Sequence, residues 1–253
     1  MRNIGFFLVS FFVSIVVFSQ EIVTDRPDQT ESAQTVGLAN LQIEAGMVYK
    51  NISSNISNVY APSVLFRYGL SKSLELRVVV QKQFSEIDAN EKSNYLSGFN
   101  DLEFGAKLQL YKPNKSNTEI AFISHIVIPT AKEAITTKFV GVVNKLAISH
   151  DISNTIGIGY NIGYDFIEKE HSLTYSIALG IALSNRIGFY VEPYGAMSEN
   201  GFFENNYDFG CTYLINKNLQ LDASYGRGFN NNMEYISAGL SWKIQKIFKK
   251  SKT

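Results

Sequence analysis

Beyond Ala39 the chain alternates apolar and polar residues one by one, the period-two signature of strands with two unlike faces. The cleanest run sets Leu102, Phe104, Ala106, Leu108 and Leu110 against Asp101, Glu103, Gly105, Lys107 and Gln109. Similar runs begin at Leu41, Tyr60 and Leu74 before it and at Ile120, Val140, Ile156, Leu173, Ile187, Tyr207, Leu219 and Ile236 after it, twelve in all. No helical periodicity of comparable length is present. Twelve strands of about ten residues would make roughly half the chain strand, far above the share in a soluble domain. A transmembrane barrel, with strands of about 9 to 11 residues and no free edge, accounts for that excess.

Connection lengths support the same reading. Residues 71–73, 112–117, 149–154, 184–186 and 216–218 are short and turn-like, whereas 85–99, 131–137 and 197–202 are among the longer links. This predicts an all-β, 12-stranded antiparallel transmembrane β-barrel, with short periplasmic turns, longer extracellular loops and both termini in the periplasm. A soluble β-sandwich would also alternate. Against it, Tyr49, Tyr60, Tyr68, Tyr164, Tyr207, Tyr213 and Tyr225 sit on the apolar phase near run ends, as an interfacial girdle would, while the other phase carries Gly, Ser, Thr and mixed charges. Pro62 and Pro193 each remove a ladder hydrogen bond and call for a bulge.

Residues 1–19 read as a secretory signal: Arg2, then an uncharged apolar stretch from Ile4 to Phe18, then cleavage near Ser19. The apolar stretch is short for a spanning anchor, which needs about 20 residues. The organisation is then signal peptide 1–19, a periplasmic N-terminal segment 20–40, a barrel 41–244 and a basic periplasmic tail 245–253. The expected location is the outer membrane, with its lipids as partners.

Composition narrows the function classes. The 253 residues carry 23 basic and 23 acidic side chains, and the one dense basic cluster is the tail with Lys243, Lys246, Lys249, Lys250 and Lys252, so nucleic acid is not an expected partner. A single cysteine, Cys211, excludes an internal disulfide and a multi-cysteine metal site, and no metal or other cofactor is expected. An enzyme is not expected either. Of three histidines, His125 neighbours Ser124 on a strand and so points to the other face, while His150 falls in a turn and His171 in an outer loop.

The stretches TDRPDQTES (24–32) and LQIEAG (41–46) resemble the start of a family of bacterial outer-membrane barrels named after a MetA pathway of phenol degradation and labelled as transporters. FRYGLSKSLELRV (66–78), GFNDLEFGAKLQLY (98–111), IGYNIGYDF (158–166), FYVEPYG (189–195) and LQLDASYGRGF (219–229) resemble it as well. A signal ending in Ser-Gln is similar to those of Bacteroidetes proteins. The resemblance covers nearly the whole mature chain and implies a barrel that takes up small, aromatic or apolar compounds. The tail beyond Ile244 departs from barrels that end at a terminal aromatic.

The polar phase predicts a lumen lined by Glu44, Arg67, Glu75, Arg77, Asp101, Glu103, Lys107, His125, Lys145, Asn161, Asp165, Glu192, Asp208 and Asp222. Such a network either braces the barrel or lines a permeation path; confined charges pair, because an unpaired one is costly. Twelve strands imply a narrow lumen. Segment 20–40 lacks alternation and carries Asp25, Arg26, Asp28 and Glu31, so it is expected either to fold into the lumen as a plug, with Arg26 on Glu75 or Glu103, or to stay outside as a lead. The function expected is a channel or transporter for small solutes; the alternatives are a structural or surface-presenting barrel and, behind it, a lipid hydrolase. The sequence sets no oligomeric state.

Overall fold

The computed structural model describes residues 22–89, 92–114 and 117–247; the signal region and the end of the tail lie outside the described residues. The strands are β1 (Leu41–Ser53), β2 (Ile56–Gly69), β3 (Leu74–Ala89), β4 (Lys92–Phe99), β5 (Leu102–Tyr111), β6 (Thr118–Ile128), β7 (Gly141–Asp151), β8 (Ile156–Ile167), β9 (Glu170–Ala182), β10 (Ile187–Ser198), β11 (Phe203–Asn216), β12 (Leu219–Gly228) and β13 (Glu234–Ile244). Every pairing is antiparallel, and β1 pairs with β13 from Leu41↔Ile244 to Asn51↔Glu234, which closes the sheet into a barrel. Closure leaves no ladder edge exposed around the barrel wall except the free side of β4, which pairs with β3 alone among the described residues.

Thirteen strands occupy twelve positions. β3 pairs with β5 over Leu74–Val79 and with β4 over Lys82–Ala89, so β4 and β5 are two storeys of one wall position. The break falls at Asn100 and Asp101, where the Asn100 amide donates to the Gln81 carbonyl at 2.8 Å. Residues 85–99, expected as an open loop, are thus mostly a β-hairpin that carries the wall upward. The link expected at 197–202 also shortens, because β10 runs to Ser198. His150 lies in β7 rather than a turn, and His171 in β9 rather than a loop. In each case the ladder persists beyond the alternating segment, where water can solvate polar residues on both faces.

Pro62 is absorbed by the expected bulge: three steps of β2, from Tyr60 to Ser63, span two steps of both β1 and β3. The extra residue inverts the phase above it. Tyr60 therefore pairs with Val48 and Gln83 on the inner face, where its hydroxyl accepts from the Asn58 side chain at 3.0 Å, and it is not part of the outer girdle. Pro193 needs no bulge; the β9–β10 ladder skips Glu192 and Pro193 and resumes in the same register.

Elsewhere the faces follow the alternation. Phe104, Leu108, Phe122, Ile126, Leu146, Phe209, Leu221 and Leu240 are exposed on the outside, while the largest fully buried side chains are mostly charged or amide groups, Arg67, Arg77, Lys107, Gln42, Glu44, Glu75, Glu192 and Asp208 among them. The molecule is apolar outside and ionic inside, the reverse of a soluble domain.

Candidate functional site: the lumen and the segment inside it

Residues 22–40 rise from the end where the barrel's termini meet, turn near Asp28 and return to β1. On the way up, the Val23 carbonyl accepts from Gln42 and Arg67, and Thr24 accepts from Gln220. At the top, the Gln29 amide and the Thr30 hydroxyl donate to Glu192, and Thr30 also meets Ser176. On the way down, Asn161 brackets Glu31 with two hydrogen bonds, the Ala33 amide donates to Ser149, and the Val36 amide donates to Glu75 at 2.9 Å. The Ser32 amide and hydroxyl both reach Asp25 at 2.8 Å, which ties the two limbs together.

Two pairs of glycines make room for this path. Gly37, with φ of 81°, crosses Gly69 so closely that a Cβ there would lie 1.8 Å from the Gly37 oxygen. Gly46 and Gly239 oppose each other across the closing β1–β13 seam, and the Arg26 guanidinium lies on them. Arg26 pairs with Asp222 at 3.0 Å and meets Ser237, and this corrects the expected pairing with Glu75 or Glu103: the missing side chains at the glycine seam leave room for the guanidinium beside Asp222.

Around Asp25 the ions form a lattice. Its carboxylate is shared by Arg77 at 2.7 Å, Lys107 at 2.8 Å and Arg67 at 3.3 Å. Arg67 spends its remaining donors on Glu44, Glu75 and the Val23 and Gln34 carbonyls. Arg77 reaches Glu75, Glu31 and, through Nε, His125 Nε2; a donor there puts the His125 proton on Nδ1, 3.1 Å from Glu103. Lys145 completes the set on Glu31 at 3.0 Å. Five cations (Arg26, Arg67, Arg77, Lys107, Lys145) thus face five carboxylates (Asp25, Glu31, Glu44, Glu75, Asp222) in contact. Burial pushes the Asp25 and Glu31 carboxyls up, but their cations override it and hold both well below the usual carboxylate range.

The remaining lumen-phase residues divide in two. Asp165 and Glu103 are only half-buried above the lattice. Asp101 sits at the rim, where its carboxylate takes hydrogen bonds from the Ala131 and Thr137 amides and the Thr136 and Thr137 hydroxyls, so it organises the 131–137 link and not the lumen wall. Glu192 and Asp208 face each other across β10 and β11, the Asp28 carboxyl is near enough to feel the charge of both, and no ion pair reaches any of the three among the described residues. Tyr190, Tyr194 and Tyr235 surround them. These three tyrosines went unread in the sequence, although Tyr190 and Tyr194 share the phase of Glu192 and so carried the signal.

Ser124 bonds to Asn144 on the face away from His125, so the two do not meet. Of the basic cluster, Lys243 lies in β13 and Lys246 just beyond it, where the Lys246 and Ile247 amides dock on the Asn40 side chain and the Ala39 carbonyl.

The chain matches one family model, described as "Putative MetA-pathway of phenol degradation", over residues 24–244. The chain belongs to that family. Its structure is similar to the NanC porin (TM-score 0.56, 8% identity, covering 80% of this chain and 100% of that one). It is also similar to the KdgM porin solved with disordered oligogalacturonate (TM-score 0.54, 12% identity, covering 79% and 98%). No curated protein sequence matches. At these identities the likeness is one of fold, and the family member described here is an outer-membrane β-barrel.

Proposed function

We propose that this barrel is a channel for small solutes, set in outer-membrane lipid through its apolar band and closed at rest by residues 22–36. The observation that carries the reading is the convergence of three wall cations, Arg67, Arg77 and Lys107, on the single carboxylate of Asp25. The wall charges are complementary to the segment more than to one another, which is how a removable filler differs from a self-contained brace.

The solute class follows from the storey above the lattice. There the inner phase turns apolar: Leu65 opposes Val79 across β2 and β3, and Val127 and Val143 continue the belt on β6 and β7. Glu103, Asp165 and Lys145 punctuate it with charge. Such a vestibule suits a small solute with an apolar or aromatic body and one polar group. The permeation path then runs past Glu103, His125 and Asp165 and needs the segment to move.

Liposome swelling tests this with sugars, amino acids and small aromatic acids, comparing the full mature chain with a form lacking residues 22–36. Flux that increases on deletion and favours aromatic acids supports the reading. No flux above empty liposomes in either form refutes it and leaves a structural barrel, which the fully paired ion lattice would then serve as an internal brace.

A further inference from the structure

The ion lattice and the apex of the segment are held by different chemistry. Around Asp25 each buried carboxylate has a cation in contact, but at the apex Asp28, Glu192 and Asp208 gather with none. Of the bordering cations, Arg26 pairs with Asp222 on β12, and Lys50 on β1, opposite Tyr235 in register, makes no ion pair with any of the three among the described residues and feels the charge of Glu204 on β11. From β9 only the neutral Ser176 reaches in. Asp25, on the rising limb, adds a further negative charge toward Asp28.

Two buried atoms there lack partners. Asp208 accepts from the Tyr235 hydroxyl through Oδ2, but its Oδ1 has no donor, and the Tyr190 hydroxyl is also unpartnered although the residue is 6% exposed. A buried acceptor without a donor is costly. Among the described residues no group of three or more His, Cys, Asp or Glu is arranged to hold a metal ion. The smallest species that supplies a donor, lowers the charge and needs no cavity is a proton.

We propose that Asp28, Glu192 and Asp208 form a proton-operated latch for the apex of the plug. With a proton shared among them, Asp208 Oδ1 gains its missing donor and Glu192 keeps its bonds from Gln29 and Thr30. When that proton leaves to solvent, three carboxylates repel one another in a space with no neutralising cation, and the apex undocks. Burial and the adjacent Glu192 push the Asp28 carboxyl well above the usual carboxylate range, in keeping with this. The sign follows: a carboxyl that binds protons more tightly when docked favours docking at low pH, and docking weakens as pH rises through its docked value.

This deepens the plugged-channel reading and rests on it. The test is single-channel recording of the full mature protein in planar bilayers between about pH 5 and pH 9, alongside the 22–36 deletion. One pK unit corresponds to about tenfold in population, so the wild-type open fraction should rise by about tenfold or more across that range. The double variant Glu192→Gln, Asp208→Asn should stay closed throughout. Tyr235→Phe removes a donor that favours ionised Asp208 and should move the opening to higher pH. A deletion form that conducts while the wild type shows no pH response overturns the latch and leaves the plug standing. A deletion form no more conductive than wild type overturns the plug itself. Should the double variant fail to show the mobility shift of a folded barrel on unheated gels, an unmoved Tyr235→Phe profile still refutes the latch.

Discussion

Replacing Asp25 by Asn removes the charge at the centre of the lattice while keeping the shape and one acceptor for Ser32. Arg77 retains Glu75 and Glu31, Arg67 retains Glu44 and Glu75, but Lys107 loses its carboxylate and keeps only neutral acceptors, the residue-25 oxygen it shares with Ser32 and the Ser32 carbonyl at 2.8 Å. Removing one partner of a buried ion pair costs about 3–5 kcal/mol, and the surviving contacts put this case near the lower end. About 3 kcal/mol is roughly a hundredfold in the docking equilibrium, enough to bring a rare undocked segment into view. The barrel ladder is untouched, so the loss falls on docking and not on the fold. The Asp25 carboxyl is held well below the usual range, so its contribution is fully present above the ordinary carboxylate pKa and is lost only as pH falls through the depressed value. The Asn effect should therefore be constant between about pH 5 and 8, in contrast to the apex variants. Hydrogen exchange of peptides within 22–40, read with single-channel conductance, measures it. Unchanged protection and unchanged conductance in Asp25→Asn would falsify the claim that this carboxylate holds the segment.

Other perturbations separate the parts. Gly239→Val would place a Cβ 2.6 Å from the Arg26 guanidinium and 2.7 Å from the Ala45 oxygen, so Arg26 should be expelled at a cost of about 1–3 kcal/mol, visible as faster exchange around residue 26; unaltered exchange would refute the seam as its seat. Phe209→Arg, on the exposed outer face near the middle of β11, should lower barrel stability by about 2–4 kcal/mol in a urea titration in lipid; a shift under about 0.5 kcal/mol would contradict a lipid-facing position. Asp101→Ala should free the 131–137 link and raise its exchange while leaving the Asp25 lattice protected, and coupled loss at both places would show that Asp101 belongs to the lumen network after all.

The wall was legible because its two faces see different solvents and period two records that directly; the strand runs, the turns and the inward phase of Arg67, Arg77 and Lys107 all follow from it. What alternation could not report is where it breaks. The bulge at Pro62 turns Tyr60 inward, and nothing in the polarity of a tyrosine, which suits either face, announces the inversion. Nor could it place strands beyond the alternating segment: residues 85–99 pair as a hairpin although polar residues fall on both faces. The partners of Arg26 were out of reach for a third reason. A segment without periodicity carries no register, and the feature that receives Arg26 is the absence of side chains at Gly46 and Gly239, two residues that look alike wherever they occur.

The division of charge inside the lumen bears on how the segment would leave. Its limbs are fixed by ion pairs to β2, β3, β5, β7 and β12, whereas its tip rests on hydrogen bonds to the Glu192 carboxylate of β10 and to the Ser176 and Tyr235 hydroxyls of β9 and β13. Ion pairs in a dry interior resist separation until water enters, and water must reach the tip or the lattice first. Gln29 at the tip is exposed, whereas Asp25 and its partners Arg67, Arg77 and Lys107 are buried. On the plugged-channel reading, opening therefore begins at the apex: once the apex lifts, water rehydrates Asp25 and its cations, and the cost that held the lattice together falls.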